Sequence, residues 1–343
     1  MGTHDETKVG STGRDVERIR PFRPAWWLRG PNAQTLGARV LRRRTGLNYE
    51  RERLLTPDGD FLDVDFTTGP SDALLVLLLH GLEGCSRSGY MLQAARALAR
   101  CGARVASLNF RSRSGEPNRK ARSYHAGQTG DVAFVIETLC RRFPGVPKAA
   151  IGFSLGGNVL LKFLGERGSE IPADLRAAAT ISSPLNLAAT ARRMETGLGR
   201  LYGKYFLRSL RRTVRDKARR FPRECDWARG IRATTLREFD EAVTAPVHGF
   251  RDAAEYYAES SAGRYVAGIR IPTLLLHSRD DPLVPWNEEH ARPVHGNSWL
   301  VPALTKRGGH VGFVAGVRPR APLFWAEREA ARYVCAHLGG SPR

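Results

Sequence analysis

Residues 150–160, Ala-Ile-Gly-Phe-Ser-Leu-Gly-Gly-Asn-Val-Leu, set a serine between two glycines where one apolar stretch ends and another begins. The first stretch reads as a buried strand and the second as a helix. Gly152-Phe153-Ser154-Leu155-Gly156 therefore has the G-x-S-x-G spacing of a sharp strand-to-helix turn. Such a turn strains the backbone of its central residue and leaves no room for side chains two positions before and after it. It presents the serine at the carboxyl end of a core strand, which restricts the surroundings to a layered arrangement of strands and helices.

The rest of the chain supplies that arrangement. Tyr49 to Phe66 read as two strands around the turn signal Pro57-Asp58-Gly59-Asp60. Short apolar runs then alternate with amphipathic stretches. Strands are expected at 73–79, 104–110, 149–153, 177–182, 271–277 and 299–304, with helices at 88–100, 130–142, 157–164 and 321–338. This alternation predicts an α/β fold with a mostly parallel, doubly wound sheet. Chemistry in such sheets sits beyond the carboxyl ends of the strands. From Ala188 to Gly268 the rhythm breaks: the interval is arginine-rich and lacks strand signals, and it reads as a helical cap inserted before a later core strand. We divide the chain into an N-terminal extension (1–45, disordered over its first 20 residues), a first core part (46–187), the helical cap (188–268) and a second core part (269–343).

Composition sets the outer limits. The 343 residues are 42% hydrophobic, enough for a large core. The longest aliphatic run, Ala73 to Leu79, is too short to span a membrane. The polar N-terminus lacks the apolar segment of a secretory signal. Five cysteines without a C-x-x-C argue against a disulfide framework or a zinc knuckle, so a reducing cytoplasm is the simplest location. The histidines show no metal-binding spacing. The net charge of +20 is spread along the chain, without a zinc finger, an RNA-binding strand or a basic tail, so no nucleic-acid partner is expected.

A serine hydroxyl becomes a useful nucleophile when an imidazole takes its proton and a carboxylate orients that imidazole. In this architecture the acid and then the base follow the serine along the chain. The strand 271–277 runs into Ser278-Arg279-Asp280-Asp281-Pro282-Leu283-Val284-Pro285. Either aspartate is suitably placed, and Asp281 has the better spacing to Val284-Pro285. After the last strand comes Lys306-Arg307-Gly308-Gly309-His310-Val311-Gly312-Phe313, which places His310 where a base belongs; His290 and His295 precede that strand. Backbone N–H groups for an oxyanion are expected at Leu155, directly after the nucleophile, and at Leu82 in His80-Gly81-Leu82-Glu83-Gly84. His80 reads as the residue that fixes this loop.

With these elements in order the chain resembles the YheT-like branch of the α/β-hydrolase superfamily, which includes bacterial proteins classed as esterases and eukaryotic membrane-anchored phospholipases. The resemblance runs from Pro21 to Leu338. It rests on Trp26-Trp27-Leu28-Arg29-Gly30-Pro31-Asn32-Ala33-Gln34-Thr35, Pro57-Asp58-Gly59-Asp60-Phe61, the His80 loop, Asn109-Phe110-Arg111, Gly115-Glu116-Pro117-Asn118, Arg237-Glu238-Phe239-Asp240, Tyr256-Tyr257 and the His310 loop. It implies an α/β-hydrolase fold, Ser154, Asp281 and His310 as the triad, and cofactor-free hydrolysis of small-molecule esters or lipids. Acyl transfer to an alcohol, or a fold kept without turnover, are the alternatives. Two positions depart from the pattern. Cys85 stands where a small residue is usual, which would place a thiol near the site. Ser112-Arg113 replaces Gly-Cys, so that Arg111-Ser112-Arg113 reads either as a solvated loop or as a contact for an anionic substrate group.

One helix of the cap carries Phe206, Leu207, Leu210, Val214 and Phe221 as an apolar stripe, with Arg208, Arg211, Arg212, Arg215, Arg219 and Arg220 over much of the rest. Such a stripe either packs on the protein or lies on an anionic membrane. Trp26 and Trp27 carry the same two readings.

Overall fold

A computed structural model describes residues 19–42 and 47–339. The disorder expected over the first 20 residues lies, but for the last two of them, outside these. After a helix α1 (Pro31–Leu41), the chain forms a hairpin of β1 (Tyr49–Leu55) and β2 (Phe61–Thr67) and then the alternating core: β3 (Leu75–Leu79), α2 (Gly89–Ala99), β4 (Arg104–Asn109), α3 (Thr129–Arg142), β5 (Lys148–Phe153), α4 (Leu155–Arg167) and β6 (Leu175–Ile181). A helical interval follows. It comprises α5 (Leu187–Arg193), α6 (Gly199–Arg220), α7 (Trp227–Arg232), α8 (Leu236–Phe239), a π turn over Asp240–Thr244, α9 (Ala245–His248) and α10 (Ala253–Ser260). The core resumes with β7 (Thr273–Ser278), α11 (Glu288–His295), β8 (Leu300–Thr305), the short strands β9 (Val314–Ala315) and β10 (Leu323–Phe324), and α12 (Trp325–His337).

The eight-stranded sheet has the order β1-β2-β4-β3-β5-β6-β7-β8. β1 and β2 pair antiparallel, as do β2 and β4, and every later pair is parallel. The central strands are buried on both faces, which is why Leu-Val-Leu-Leu-Leu in β3 and Leu-Leu-Leu in β7 read as unbroken apolar runs rather than alternating ones. Two cores result. One lies under α2 and α12, around Met91, Leu98, Ala330 and Val334; the other lies under α3, α4 and α11, around Val132, Val159, Leu160 and Val294. From β3 the chain steps outward to β4 and then crosses back to β5. The switch point therefore falls between the ends of β3 and β5, where the His80 loop and Ser154 stand side by side.

Two details differ from the expectation. The last helix begins at Trp325 because Leu323-Phe324 first pairs with Val314-Ala315. Helix α11 lies outside the helices expected from the sequence: it is short, and Pro293 inside it reads as a helix breaker. The stripe of α6 packs inward. Leu207 and Val214 are buried with Trp227, Phe239 and Val243, and Phe206, Leu210 and Phe221 pack against that cluster. Among the described residues no helix is long and apolar enough to cross a membrane.

Candidate active site

Ser154 sits between β5 and α4 with φ 50° and ψ −119°, a strained conformation for a residue with a side chain. Both flanking glycines are required. A Cβ on Gly152 would lie 2.6 Å from the Gly156 carbonyl oxygen, and one on Gly156 would lie 2.4 Å from the carbonyl oxygen of His80. The turn can therefore press against the neighbouring strand β3 only if Gly156 has no side chain.

His310 reaches this serine from the loop after β8. Its Nε2 is 3.0 Å from Ser154 Oγ, and its Nδ1 is 2.8 Å from Asp281 Oδ2. With Nδ1–H donating to the carboxylate, Nε2 is left to accept the serine proton. The other oxygen of Asp281 accepts the backbone N–H groups of Leu283 and Val284, each at 2.9 Å. Burial alone would raise the Asp281 pKa, but the imidazole of His310 and these N–H donors outweigh it and hold the carboxyl below its usual range. Asp280, the adjacent acid, turns away: its Oδ1 accepts the N–H of Gly309 at 2.9 Å and the hydroxyl of Ser278. It braces the His310 loop rather than the imidazole.

The His80 loop closes the opposite side. His80 is fully buried, with Nδ1 2.8 Å from the Gly81 carbonyl oxygen and Nε2 accepting the Phe110 N–H at 3.2 Å. Burial pulls its pKa down to about 3, so it is neutral and joins the loops after β3 and β4. Gly81 N–H donates to Tyr90 Oη, Glu83 N–H to Tyr124 Oη and Gly84 N–H to the Gly81 carbonyl. The Leu82 N–H has no partner among the described residues. Leu155 is the first residue of α4, so its N–H has no carbonyl one turn earlier in the helix to bind.

A cavity of about 150 Å³ opens from Ser154 and His310. Leu82 and Leu155 reach it from the core, and most of its wall is apolar and comes from the helical interval, including Met194, Phe206, Trp227, Phe239 and Tyr256. Two charged groups of the helical interval interrupt that wall, and Glu83 and Arg111 reach the cavity from the core. Burial brings the Lys217 amine down to about 8, and Nζ donates to Asn118 Oδ1 at 2.5 Å and to the Lys120 carbonyl. Burial raises the Asp240 carboxyl to about 6, and it accepts the hydroxyls of Tyr257 at 2.7 Å and Thr244 at 2.6 Å.

The Arg111-Ser112-Arg113 loop is not a solvated one: Arg111 and Ser112 line the cavity, although protein carboxylates already occupy the Arg111 guanidinium. Arg111 is 6% exposed and its guanidinium binds Asp58, Asp60 and Asp131. Arg113 binds the Glu83 carboxylate and the carbonyls of Glu83 and Gly84. Both cations are engaged by protein oxygens, one holding the β1–β2 turn and the other the His80 loop. Cys85 is half-buried, and its thiol is not among the groups that line the cavity.

Several site residues lay outside the sequence reading. The loop 308–313 is clamped by side chains distant in sequence. Thr35 Oγ1 accepts the His310 N–H at 2.9 Å, Ser182 Oγ accepts the Val311 N–H at 3.0 Å, and Arg42 donates to the Val311 carbonyl at 2.6 Å. Gln34 spans the start of β9, accepting the Val314 N–H at 2.7 Å and donating to the Val314 carbonyl at 3.1 Å. Gly309 permits this, since a Cβ there would meet the Pro31 carbonyl oxygen at 2.4 Å. The segment Gln34-Thr35 stood out as part of a motif, yet nothing local said what it held.

A parallel sheet with a serine on a strained turn after β5, an aspartate after β7 and a histidine after β8 defines an α/β hydrolase, and residues 75–296 match the family of the alpha/beta hydrolase fold. The chain is 35% identical over 310 residues to the Escherichia coli (strain K12) protein named "Putative esterase YheT", covering 89% of this chain and 90% of that one. It is 32% identical over 311 residues to "Phospholipase ABHD3" of Mus musculus, covering 87% of this chain and 74% of that one. The chain belongs to the α/β-hydrolase family, in its YheT-like branch. A Pyrococcus furiosus esterase shares the fold, with a TM-score of 0.51 at 17% identity over 85% of this chain and 90% of that one.

Proposed function

We propose that this protein is a serine hydrolase of carboxylic esters, working through an acyl-enzyme on Ser154. The observation that carries the reading is the unbroken hydrogen-bonded line from Ser154 Oγ through His310 to Asp281 at the head of an apolar cavity. His310 Nε2 takes the hydroxyl proton as Ser154 Oγ attacks the ester carbonyl carbon. Asp281 keeps the imidazole oriented and stabilises the imidazolium that forms. The carbonyl oxygen becomes an oxyanion held by the N–H groups of Leu82 and Leu155. His310 then gives its proton to the departing alkoxide. Water, deprotonated by His310, attacks the acyl-enzyme, and collapse of the second tetrahedral intermediate frees the acid and Ser154.

The helices over residues 188–268 act as a cap whose inner wall receives the acyl chain, so short- to medium-chain esters or lipids are the substrates we expect. The relatives named esterase and phospholipase favour the same class. The test is labelling of the intact protein with a fluorophosphonate. Labelling that vanishes in Ser154→Ala and survives in Cys85→Ala supports the reading. A folded wild type that takes no label, or label that persists in Ser154→Ala, overturns it.

A further inference from the structure

We propose that the face formed by α1, the start of α6 and the β9–β10 turn docks on a lipid bilayer bearing anionic headgroups. Among the described residues ten large hydrophobic side chains are exposed, and eight of them lie on or directly before these segments. Trp26 and Val317 are 64% and 77% exposed, and Trp26 Nε1–H donates to the Val317 carbonyl at 3.1 Å. On α1, Leu36 and Val40 stand four residues apart on one outer stripe, with Val40 81% exposed. At the start of α6, Leu198 at the N-cap, Leu201 and Tyr205 follow at intervals of three and four residues. The two helices are joined: Tyr202 O–H donates to Asn32 Oδ1 at 2.9 Å, and the Arg39 guanidinium lies 4.6 Å from the centre of the Tyr205 ring. The apolar groups therefore gather on one side of the molecule, whereas single exposed apolar residues would be scattered.

Charge identifies the occupant. The outer stripe of α6 that begins with Leu201 and Tyr205 continues as Arg208, Arg212, Arg215 and Arg219, all exposed. The ion pair on this helix is between Asp216 and Arg220, which leaves these four cations to solvent among the described residues. Arg29 and Arg39 flank the α1 side, and Arg318 and Arg320 flank Val317; all four are exposed. An apolar patch rimmed by arginines that have no carboxylate partner among the described residues, on a chain of net charge +20, suits the boundary between anionic headgroups and acyl chains. A second copy of this chain would bring the same positive rim against itself. The location also fits a lipid route to the site, because Thr35, one residue before Leu36, holds the His310 backbone. This face is distinct from the inward stripe of Phe206 and Leu210.

Binding requires no turnover, so its outcome is separable from the reading of Ser154. Full-length protein is sedimented with vesicles of phosphatidylcholine alone and of phosphatidylcholine with phosphatidylglycerol in equal parts. We expect pelleting with the anionic vesicles only, relieved by salt. A Leu36→Glu, Leu201→Glu double variant should lose it, whereas Leu55→Glu, at another exposed apolar position, should keep it. Arg212→Glu should weaken partitioning by roughly fivefold or more. All four positions changed are exposed, and unchanged thermal unfolding checks that each variant folds. Equal pelleting with both vesicle types, equal loss in Leu55→Glu, or a wild-type dimer that the double variant splits with no vesicle binding would each overturn the proposal.

Discussion

Tyr124 and Glu83 exchange two hydrogen bonds. The Glu83 N–H donates to Tyr124 Oη at 2.8 Å, and the Tyr124 hydroxyl donates to Glu83 Oε1 at 3.0 Å. Glu83 follows Leu82 and is held at φ 58°, a costly conformation for a residue with a side chain. Its other oxygen accepts from Arg113 and from Ser209 of α6, so one carboxylate ties the His80 loop to the helical interval. Tyr124→Phe removes both shared bonds and keeps the ring stacked on Phe110, whose centre is 5.4 Å away. If Glu83 sets the aim of the Leu82 N–H, kcat should fall by at least about tenfold with little change in KM. Lost stability with unchanged kcat would make the contact structural only. The measurement is steady-state kinetics on a soluble ester beside urea unfolding.

Asp281 and Asp280 are adjacent but face different partners, which makes their asparagine variants a direct comparison. Asp281→Asn removes the acceptor that fixes the His310 tautomer, and kcat should fall by about ten-thousandfold. Asp280→Asn keeps an oxygen for the Gly309 N–H and should cost no more than about tenfold. Equal losses in the two variants would count against Asp281 as the orienting acid.

Much of the fold could be read from the sequence because a buried parallel strand announces itself locally. β3, β5, β6 and β7 are apolar runs bounded by glycine, proline or charge; Ser154 and Asp281 each follow such a run within a few residues, and His310 follows the half-buried β8. What holds those residues in place was not legible. Thr35 and His310 are 275 positions apart, and their contact follows from packing rather than from periodicity. The Arg111 loop shows the same limit. Its charges suggested a substrate contact, and only the arrangement of Asp58, Asp60 and Asp131 around it reveals an internal ion cluster. The stripe of α6 identified an amphipathic helix but could not say which of its faces meets solvent.

Close backbone approach should make Gly156 intolerant and leave Gly130 permissive. A Cβ at Gly156 would sit 2.4 Å from the His80 carbonyl oxygen and 2.6 Å from that of Leu79, so β3 and α4 must part. Gly156→Ala should destabilise by at least about 2 kcal/mol. Gly130, near the start of α3, has only the Gln128 amide nitrogen nearby, at 3.9 Å. Gly130→Ala should be neutral or stabilise by up to about 1 kcal/mol. Urea midpoints of the two variants check the contrast, and similar values for both would refute it.

Asp240 should give stability a pH dependence of unusual sign for a carboxylate. It is a half-buried acid on the π turn, lining the cavity, with two hydroxyl donors and no ion pair among the described residues, and desolvation raises it from 3.8 to about 6. The native state therefore keeps a proton that the unfolded chain has released. This stabilises the fold below the unfolded value and is lost as pH rises from about 4 through about 6. The interval of about two pH units corresponds to roughly 3 kcal/mol of lost stability at neutral pH. Asp240→Asn keeps an acceptor for Tyr257 and Thr244 without the buried charge. It should be more stable than wild type near pH 8, with the gap closing towards about pH 4. Urea unfolding of both proteins across that range measures the gap. A gap independent of pH would show that Asp240 is not carrying a buried charge at neutral pH, and a variant less stable at every pH would show that its two hydroxyl contacts outweigh the cost of ionisation.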